Sequence, residues 1–312
     1  DQFEIRSDED EAFKSAVRSE ALLTRAYAHF MLVNLFAKHY DNQRSGADPG
    51  IPFVDEPETV FLKTYKRNTV QEVYDRIEED LLLGIELVDD SFFANSGKYH
   101  FNRNAALAFA SRFYLFKGEY DKCIEYSDMM LGADPGAFVR DLTSDQFLNA
   151  RSSIDGYSQL YTSPDLPSNL LLMRKISLIQ RPDFAHGPTT VLYRDLFAAN
   201  PFPSTTDERE NPALVKGENG VFPLRYQSLF QRSSLNSNVG TPYHIHIAFR
   251  GEEVLLNRME SYVEQNRINE AIQDMQVLVD RRYSGPSIPL TIELIREAFG
   301  VSGNPFVSDK FV

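Results

Sequence analysis

Hydrophobic residues recur at helical spacing in two segments near the start of the chain. In residues 9–39 the apolar positions follow an i, i+3, i+4 pattern, which is typical of an amphipathic helix. They are Leu23, Ala26, Tyr27, Phe30, Val33 and Ala37. A second run begins at Thr69, and Thr69 and Glu72 have the spacing of a capping box. The pattern therefore predicts one long helix over 9–39 and a second helix over about 69–89.

The segment between these two predicted helices has no sustained hydrophobic period. It is almost thirty residues long and rich in Pro, Gly and Asp. Loops of that length inside a folded chain are usually functional or packed on another element. We therefore expect the two helices to form a pair that is joined by an unusually long connection.

Two later segments repeat one another. Residues 114–126 align with residues 262–274, so that Tyr114 matches Tyr262 and Gly118 matches Asn266, while Tyr120, Cys123 and Ile124 match Ile268, Ala271 and Ile272. Gly and Asn are the residues that best tolerate the left-handed conformation at a helix end. Each segment therefore predicts a helical hairpin of the tetratricopeptide type, whose apolar face needs a neighbouring pair to cover it.

The sequence changes character between the two hairpins. Residues 133–249 are dense in Pro, Gly, Ser, Asn and aromatics, and only the segment 166–175 looks like a short strand. So many aromatic and apolar residues indicate a packed lobe and not a solvated linker. The sequence thus predicts a mostly α fold with N-terminal helical repeats over 1–132, a loop-rich lobe with short strands over 133–249, and a C-terminal repeat over 250–312.

Composition excludes several classes of function. Lys and Arg number 32 against 45 Asp and Glu, which gives a net charge of −13 and a pI near 5.0, so a nucleic-acid partner is not expected. No apolar run reaches the roughly 18 residues that a membrane-spanning helix needs. The single cysteine, Cys123, cannot form an intramolecular disulfide.

Four segments resemble the SusD/RagB family, the glycan-binding outer-membrane lipoproteins of Bacteroidetes. The first two are SEALLTRAYAHFMLVNLFAKHY with the downstream PGIPFV, and RNTVQEVYDRIEEDLLLGIELV, whose Arg-x-Thr-Val-x-Glu-Val-Tyr pattern is the most specific. The other two are NRNAALAFASRFYLFKGEYDKCIEYSDMML and FRGEEVLLNRMESYVEQNRINEAIQDMQVLVDRR. They follow the family's order along the chain.

The resemblance implies a location and a partner. A SusD-like protein is lipid-anchored at the outer surface of the outer membrane and pairs with a SusC-like TonB-dependent transporter. Members of that family begin with a signal peptide and a lipobox cysteine and continue beyond the last hairpin, whereas this sequence shows neither feature. The resemblance therefore predicts that the chain is a truncated form and that any lipid anchor lies outside it.

Motifs that would require an enzyme are absent from the sequence. There is no G-x-S-x-G, H-E-x-x-H, C-x-x-C, Walker or G-x-G-x-x-G pattern. Glycoside hydrolysis needs two carboxylates across a cleft, and acidic groups at 78–80 and 89–90 are the available candidates. We interpret them instead as the solvated face of an amphipathic helix. No catalytic residue and no cofactor is predicted.

His244 and His246 alternate in YHIHIAF, so both rings would lie on one face of a strand. A metal site needs more ligands than two, and no third ligand is identifiable, so a half-exposed strand without metal is the preferred interpretation. Because Cys123 aligns with Ala271, we expect it to be a small buried packing residue.

A ligand site is expected in the 133–249 lobe. Sugar rings stack on flat aromatic side chains, while amides and charged groups bind the hydroxyls. The candidate ligand-binding residues are Arg225, Tyr226, Asn236, Asn238 and Tyr243. The sequence contains no Trp, which removes the strongest stacking ring.

The expected function, as the resemblance implies, is non-catalytic capture of an oligosaccharide and its delivery to a SusC-like transporter. The alternative is a tetratricopeptide-like scaffold that binds a peptide or protein partner and has no sugar site. A glycoside hydrolase on a helical scaffold is the third possibility.

Overall fold

The computed structural model describes residues 8–57, 59–60, 63–176, 189, 191, 201–202, 204–209, 214–216, 221–223 and 229–298. Contacts divide the chain into two compact units, Asp1–Gly132 and Ala133–Val312. Helices carry most of the regular structure in the described residues, and the strands are few and mostly short. The predicted mostly α fold is thereby confirmed. The division into three parts stays a prediction.

The first unit begins with a helix pair, α1 (Asp8–Phe36) and α2 (Val70–Leu87). The predicted capping box is present, because the Thr69 side chain accepts from the Glu72 amide and the Glu72 carboxylate accepts from the Thr69 amide. The apolar faces of the two helices are buried as the spacing predicted. At their crossing a Cβ on Gly84 would lie 2.6 Å from Leu23 Cγ, so only glycine fits there.

The connection between α1 and α2 is long, as predicted, and is held at several points. Pro49 and Thr69 form an isolated antiparallel bridge, and the Arg67 guanidinium donates to the Gly50 carbonyl over 2.7 Å. His29 stacks on Phe53 with ring centroids 3.9 Å apart and accepts from the Val54 amide at 3.0 Å. These contacts fix the connection against the helix pair.

The second helix pair of this unit is α3 (Arg103–Lys117) with α4 (Tyr120–Leu131). Gly118 ends α3 in the left-handed conformation with φ 75°, as the sequence predicted. Two short 3₁₀ turns, Asp90–Phe93 and Gly97–Tyr99, lead from α2 to α3. Cys123 is fully buried between the helices, which confirms its interpretation as a packing residue.

The second unit contains five helices and seven strands in the residues that are described. The helices are α5 (Asp145–Ala150), α6 (Ile154–Tyr161), α7 (Gly251–Glu264), α8 (Ile268–Asp280) and α9 (Ile292–Ala298). The strands are β1 (Asn169–Lys175), β2 (Thr206–Asp207), β3 (Leu214–Lys216), β4 (Val221–Pro223), β5 (Leu229–Arg232), β6 (Gly240–Arg250) and β7 (Tyr283–Ser284).

Three of these strands form one antiparallel sheet in the order β1, β6, β5. A buried cluster joins the start of this sheet to α7. Arg140 pairs with Glu252 at 2.7 Å and donates to the Asn169 side chain at 2.5 Å, while the Gly251 amide donates to the Ser168 carbonyl. The two ends of the sheet therefore differ: one is anchored on α7 and the other carries the β5–β6 hairpin.

Candidate ligand-binding site

The β5–β6 hairpin carries the predicted site residues that the structure describes. Its register is Leu229 opposite Tyr243, Phe230 opposite Pro242, Gln231 opposite Thr241 and Arg232 opposite Gly240. A Cβ on Gly240 would lie 2.1 Å from the Gln231 carbonyl oxygen, so the last pair before the loop requires glycine. The hairpin is therefore closed tightly at the base of its loop.

Residues 233–239 form the hairpin loop, and serine hydroxyls hold it together. The Ser233 hydroxyl donates to the Val239 carbonyl at 2.9 Å, and the Val239 amide donates to the Ser237 hydroxyl at 3.0 Å. The apolar side chains of the loop are exposed to solvent. Leu235 is 94% exposed and Val239 73% exposed, which is unusual for aliphatic residues.

The structure places the candidate residues in two groups. Asn236 and Asn238 are both exposed on the hairpin loop. Tyr243 is half-buried on β6, four residues beyond the loop, which is about 13 Å at the rise of a strand. Arg225 and Tyr226 lie outside the described residues. The assignment of these five residues to a ligand site stays a prediction.

A residue that the sequence reasoning missed lies on Tyr243. The Arg174 guanidinium carbon stands 4.0 Å from the centroid of the Tyr243 ring, a close cation–π stack. Arg174 pairs with Ile245 across the strands, so its side chain leaves the same face of the sheet as Tyr243. The sequence signal was the pair of basic residues that ends β1.

The other face of the sheet carries the two histidines. Lys175 lies opposite His244, and Met173 lies opposite His246. His244 is only 1% exposed, and burial lowers its pKa, with the positive charge of Lys175 acting in the same direction. The two imidazole centroids are 6.4 Å apart. No group of three or more His, Cys, Asp or Glu side chains suited to a metal ion occurs among the described residues.

The acidic groups considered for hydrolysis lie in the first unit, and the interpretation as a solvated face was wrong for two of them. Asp80 is buried and receives two hydrogen bonds of 2.7 Å from Arg25. Glu78 accepts from the Tyr114 hydroxyl at 2.9 Å and from Lys117. Burial raises the pKa of Glu78, but these hydrogen bonds outweigh it and hold the pKa below its ordinary value.

Glu79, Asp89 and Asp90 are exposed, as predicted. A general acid needs a raised pKa at neutral pH. Glu78 has the opposite shift, and Asp80 is occupied by a guanidinium. Glu78 and Asp80 therefore act as structural partners of basic residues.

Comparison with known proteins shows a likeness in part of the sequence and in the fold. Residues 1–115 match the SusD-like_3 family, described as starch-binding and associating with the outer membrane. A Bacteroides vulgatus structure provisionally described as a sugar-binding protein superposes with a TM-score of 0.68 at 22% identity, covering 95% of this chain and 64% of its own. The fold is SusD-like. This confirms the resemblance that the sequence motifs indicated.

Other SusD-like structures agree in fold. A SusD superfamily protein from Bacteroides thetaiotaomicron has a TM-score of 0.62 at 18% identity, over 94% of this chain and 65% of its own. A laminarin-binding SusD-like protein has a TM-score of 0.55 at 16% identity, over 94% and 68%. The chain spans less than two thirds of the length of the first two structures. No curated protein matches it.

In the described part of this SusD-like chain, no helix has both the length and the apolar character that crossing a membrane requires. The family match covers α1, α2 and most of α3, and it includes the capping box at the start of α2. The β5–β6 hairpin lies outside the matched residues, so the family match gives no support to a ligand site there.

Proposed function

We propose that this protein captures an oligosaccharide without chemical conversion and delivers it to a SusC-like TonB-dependent transporter. In its full-length, lipid-anchored form it would do so at the outer surface of the outer membrane. The SusD-like fold supports this proposal, as do the names of two relatives, one a provisional sugar-binding protein and one a laminarin-binding protein. Of the carboxylates that the sequence offered for hydrolysis, Glu78 has a lowered pKa and Asp80 is bound by Arg25.

The observation that carries the proposal is the composition of the exposed hairpin. Leu235 and Val239 present apolar surface, and Asn236 and Asn238 present amides on the same seven-residue loop. Apolar groups that cover the C–H faces of a sugar and amides that bond its hydroxyls are the two components of a saccharide site. The serine bonds within the loop pre-organise it, which reduces the entropy lost on binding.

A glycan array followed by calorimetry tests this proposal on the intact mature protein. We expect Asn236→Ala and Asn238→Ala each to weaken binding of an array hit by about tenfold, or about 1.4 kcal/mol. Asn95→Ala, on an exposed loop of the first unit, is the matched control and should bind as the wild type does. If all three variants bind the glycan as tightly as the wild type does, then the hairpin is not part of the ligand site.

Delivery needs a second measurement. We expect a purified SusC-like transporter from the same organism to bind the protein in detergent, and to bind it whether or not glycan is present. Hydrolysis of the bound glycan at an enzymatic rate would overturn the non-catalytic part of the proposal. Absence of any complex with the transporter would overturn delivery and leave capture standing.

One feature of the first unit favours the alternative function, a scaffold for a peptide or protein. Helix α1 exposes an uncharged stripe at alternating spacings of four and three residues, which is the spacing of helix-to-helix packing. Leu35 in this stripe is 72% exposed, and the stripe consists of Val17, Ala21, Thr24, Ala28, Met31 and Leu35. Silence of the folded protein on a broad glycan array would favour this second function.

A further inference from the structure

Charge is distributed unevenly in this acidic chain. The three strands of the β1–β6–β5 sheet and the β5–β6 loop contain no Asp or Glu, although the whole sequence has 45 of them. The same segments, residues 169–176 and 229–250, contain the basic residues Arg174, Lys175, Arg232 and Arg250. The sheet and its loop therefore contribute four basic and no acidic side chains to a protein whose net charge is −13.

Arg174 has a different kind of partner from nine other arginines of this protein. Nine others form an ion pair with a carboxylate: Arg25, Arg44, Arg76, Arg140, Arg151, Arg209, Arg258, Arg267 and Arg281. Arg174 is exposed, and its guanidinium carbon lies over the Tyr243 ring. A guanidinium in such a cation–π contact still has N–H groups that can donate to a ligand.

Two neighbouring basic groups on the other face of the sheet have lowered pKa values. Burial lowers the pKa of Lys175, and burial together with the charge of Lys175 lowers the pKa of His244. A carboxylate close to either group would raise its pKa. Burial alone accounts for the lowered pKa of Lys175, and no carboxylate among the described residues contributes to it.

We propose that Arg174 binds an anionic group of the glycan, a carboxylate or a sulfate ester, and that the ligand is therefore an acidic oligosaccharide. Tyr243 is the positioning residue, since its ring holds the guanidinium in place. A planar guanidinium and a carboxylate or sulfate form two parallel hydrogen bonds, which a neutral sugar cannot reproduce. This inference rests on the proposed function, because it specifies the chemical class of the ligand.

The proposal changes the role of Tyr243. A sugar platform needs an open ring face, whereas the Arg174 guanidinium covers one face of this ring at 4.0 Å. Specificity is then electrostatic, and it should weaken as salt shortens the screening length. The exposed amides and apolar side chains of the hairpin loop would bind the neutral part of the same oligosaccharide.

Calorimetry on the full chain with three probes tests the inference. The probes are an oligogalacturonide with carboxylates, a κ-carrageenan oligosaccharide with sulfates, and a neutral laminarin oligosaccharide. We expect at least one acidic probe to bind at least tenfold more tightly than laminarin at about 50 mM salt, and less so at 0.5 M. The acidic probe that binds more tightly shows whether the ligand carries a carboxylate or a sulfate ester.

Variants separate binding by Arg174 from a general charge effect. Arg174→Gln should weaken the acidic probes about tenfold and leave laminarin unchanged. Arg103→Gln removes the same charge from an exposed position in the first unit and should change neither. Arg174→Lys should recover part of the loss, because the charge remains while the paired hydrogen bonds are lost.

Tyr243 needs a readout that a purely structural role would not give. Tyr243→Phe keeps the ring beneath the guanidinium and should keep the affinity for acidic probes, while Tyr243→Leu should lose it. Equal losses in Arg174→Gln and Arg103→Gln, or laminarin as the tightest ligand, would overturn the inference and leave glycan capture intact. Failure of all three probes and of the glycan array would overturn the proposed function itself.

Discussion

The helical hairpins α3–α4 and α7–α8 have the same type of turn, but different side-chain contacts hold their helices together. In α3–α4 the Gly118 amide donates to the Leu115 carbonyl and the Glu119 amide to Tyr114; in α7–α8 the Asn266 amide donates to Val263 and the Arg267 amide to Tyr262. The left-handed residue has φ 75° in the first turn and 58° in the second. The two turns therefore have the same backbone conformation and the same hydrogen bonds.

The side chains across the two hairpins are different. In the first, Tyr114 and Tyr126 stack with centroids 5.3 Å apart and planes inclined by 9°. The position equivalent to Tyr126 in the second hairpin is Asp274, which forms a two-bond ion pair with Arg258 at 2.6 and 2.8 Å. Both members of that pair are only 8% exposed. One turn geometry thus accepts either an aromatic contact or a buried ion pair.

The comparison teaches where sequence freedom lies in such a repeat. The turn requires Gly or Asn because its φ is positive, and the small residue after it, Cys123 or Ala271, is buried in both hairpins. The position one helical turn further along is less restricted, because Tyr126 occupies it in one hairpin and Asp274 in the other. Similar frames can therefore carry different stabilising chemistry.

Removal of Asp274 should have the largest effect on this comparison. Asp274→Ala leaves the Arg258 guanidinium buried without its carboxylate, which costs about 3 kcal/mol of unfolding free energy. Tyr126→Leu, the matched change in the first hairpin, should cost about 1 kcal/mol because only an aromatic contact is lost. Urea titration followed by circular dichroism measures both, and hydrogen exchange of α8 amides locates the loss in the second hairpin.

A double variant sharpens this first prediction. Arg258→Met with Asp274→Leu replaces the pair by apolar groups of similar size and should recover most of the stability. If Asp274→Ala costs no more than Tyr126→Leu, then the ion pair is effectively solvated and the proposed contrast between the hairpins is wrong.

The second prediction concerns pH and the contact between the first hairpin and α2. Glu78 has a pKa held below its ordinary value of 4.5, so its contribution is complete above about pH 4.5 and is lost as pH falls through the lowered value. Glu78→Gln should cost about 2 kcal/mol at pH 6, the range for hydrogen bonds to a charged group.

The pH dependence supplies the check. The stability difference between wild type and Glu78→Gln should shrink as the pH falls from about 4.5 towards the lowered pKa of Glu78, because protonation removes the charge that the hydrogen bonds stabilise. Glu79→Gln, at the exposed neighbouring position, is the matched control and should not reproduce this pH dependence. A difference that stays constant over this range would show that the charge of Glu78 does not matter.

Local signals predicted much of this fold from the sequence. The capping box at Thr69, the left-handed Gly118 and Asn266, and the strand patterns of β1 and β6 each depend on residues close together in the chain. Helices α5 and α6 were missed because six and eight residues are too few for a helical period to emerge.

Interactions between distant residues were not predictable in this way. Asp80 was assigned to a solvated face, but its partner Arg25 lies 55 residues earlier in the chain. Arg174 and Tyr243 meet only because β1 pairs with β6 in one register. A single sequence fixes which residue types are available, while the register of distant elements decides which of them meet.

The third prediction addresses the turn itself. A Cβ at Gly118 would have no heavy atom within 4 Å, so the effect of Gly118→Ala comes from the positive φ alone and should be about 1 kcal/mol. Gly118→Asn should cost less, because Asn occupies the same conformation at position 266. Denaturant titrations of the two variants check the order, and an equal loss for Ala and Asn would contradict it.

The smallest effect is expected at Cys123, where the second hairpin has Ala271. Cys123→Ala removes one buried sulfur and should cost less than about 1 kcal/mol, because the repeat frame accepts alanine at this position. The Sγ lies 3.7 Å from the Ser111 hydroxyl, but Ser111 keeps Ser127 as a partner at 2.8 Å. A loss above 2 kcal/mol in the same denaturant titration would mean that the sulfur fills space that alanine leaves empty, so the two hairpins would differ in packing at this position as well as in the contact one turn further on.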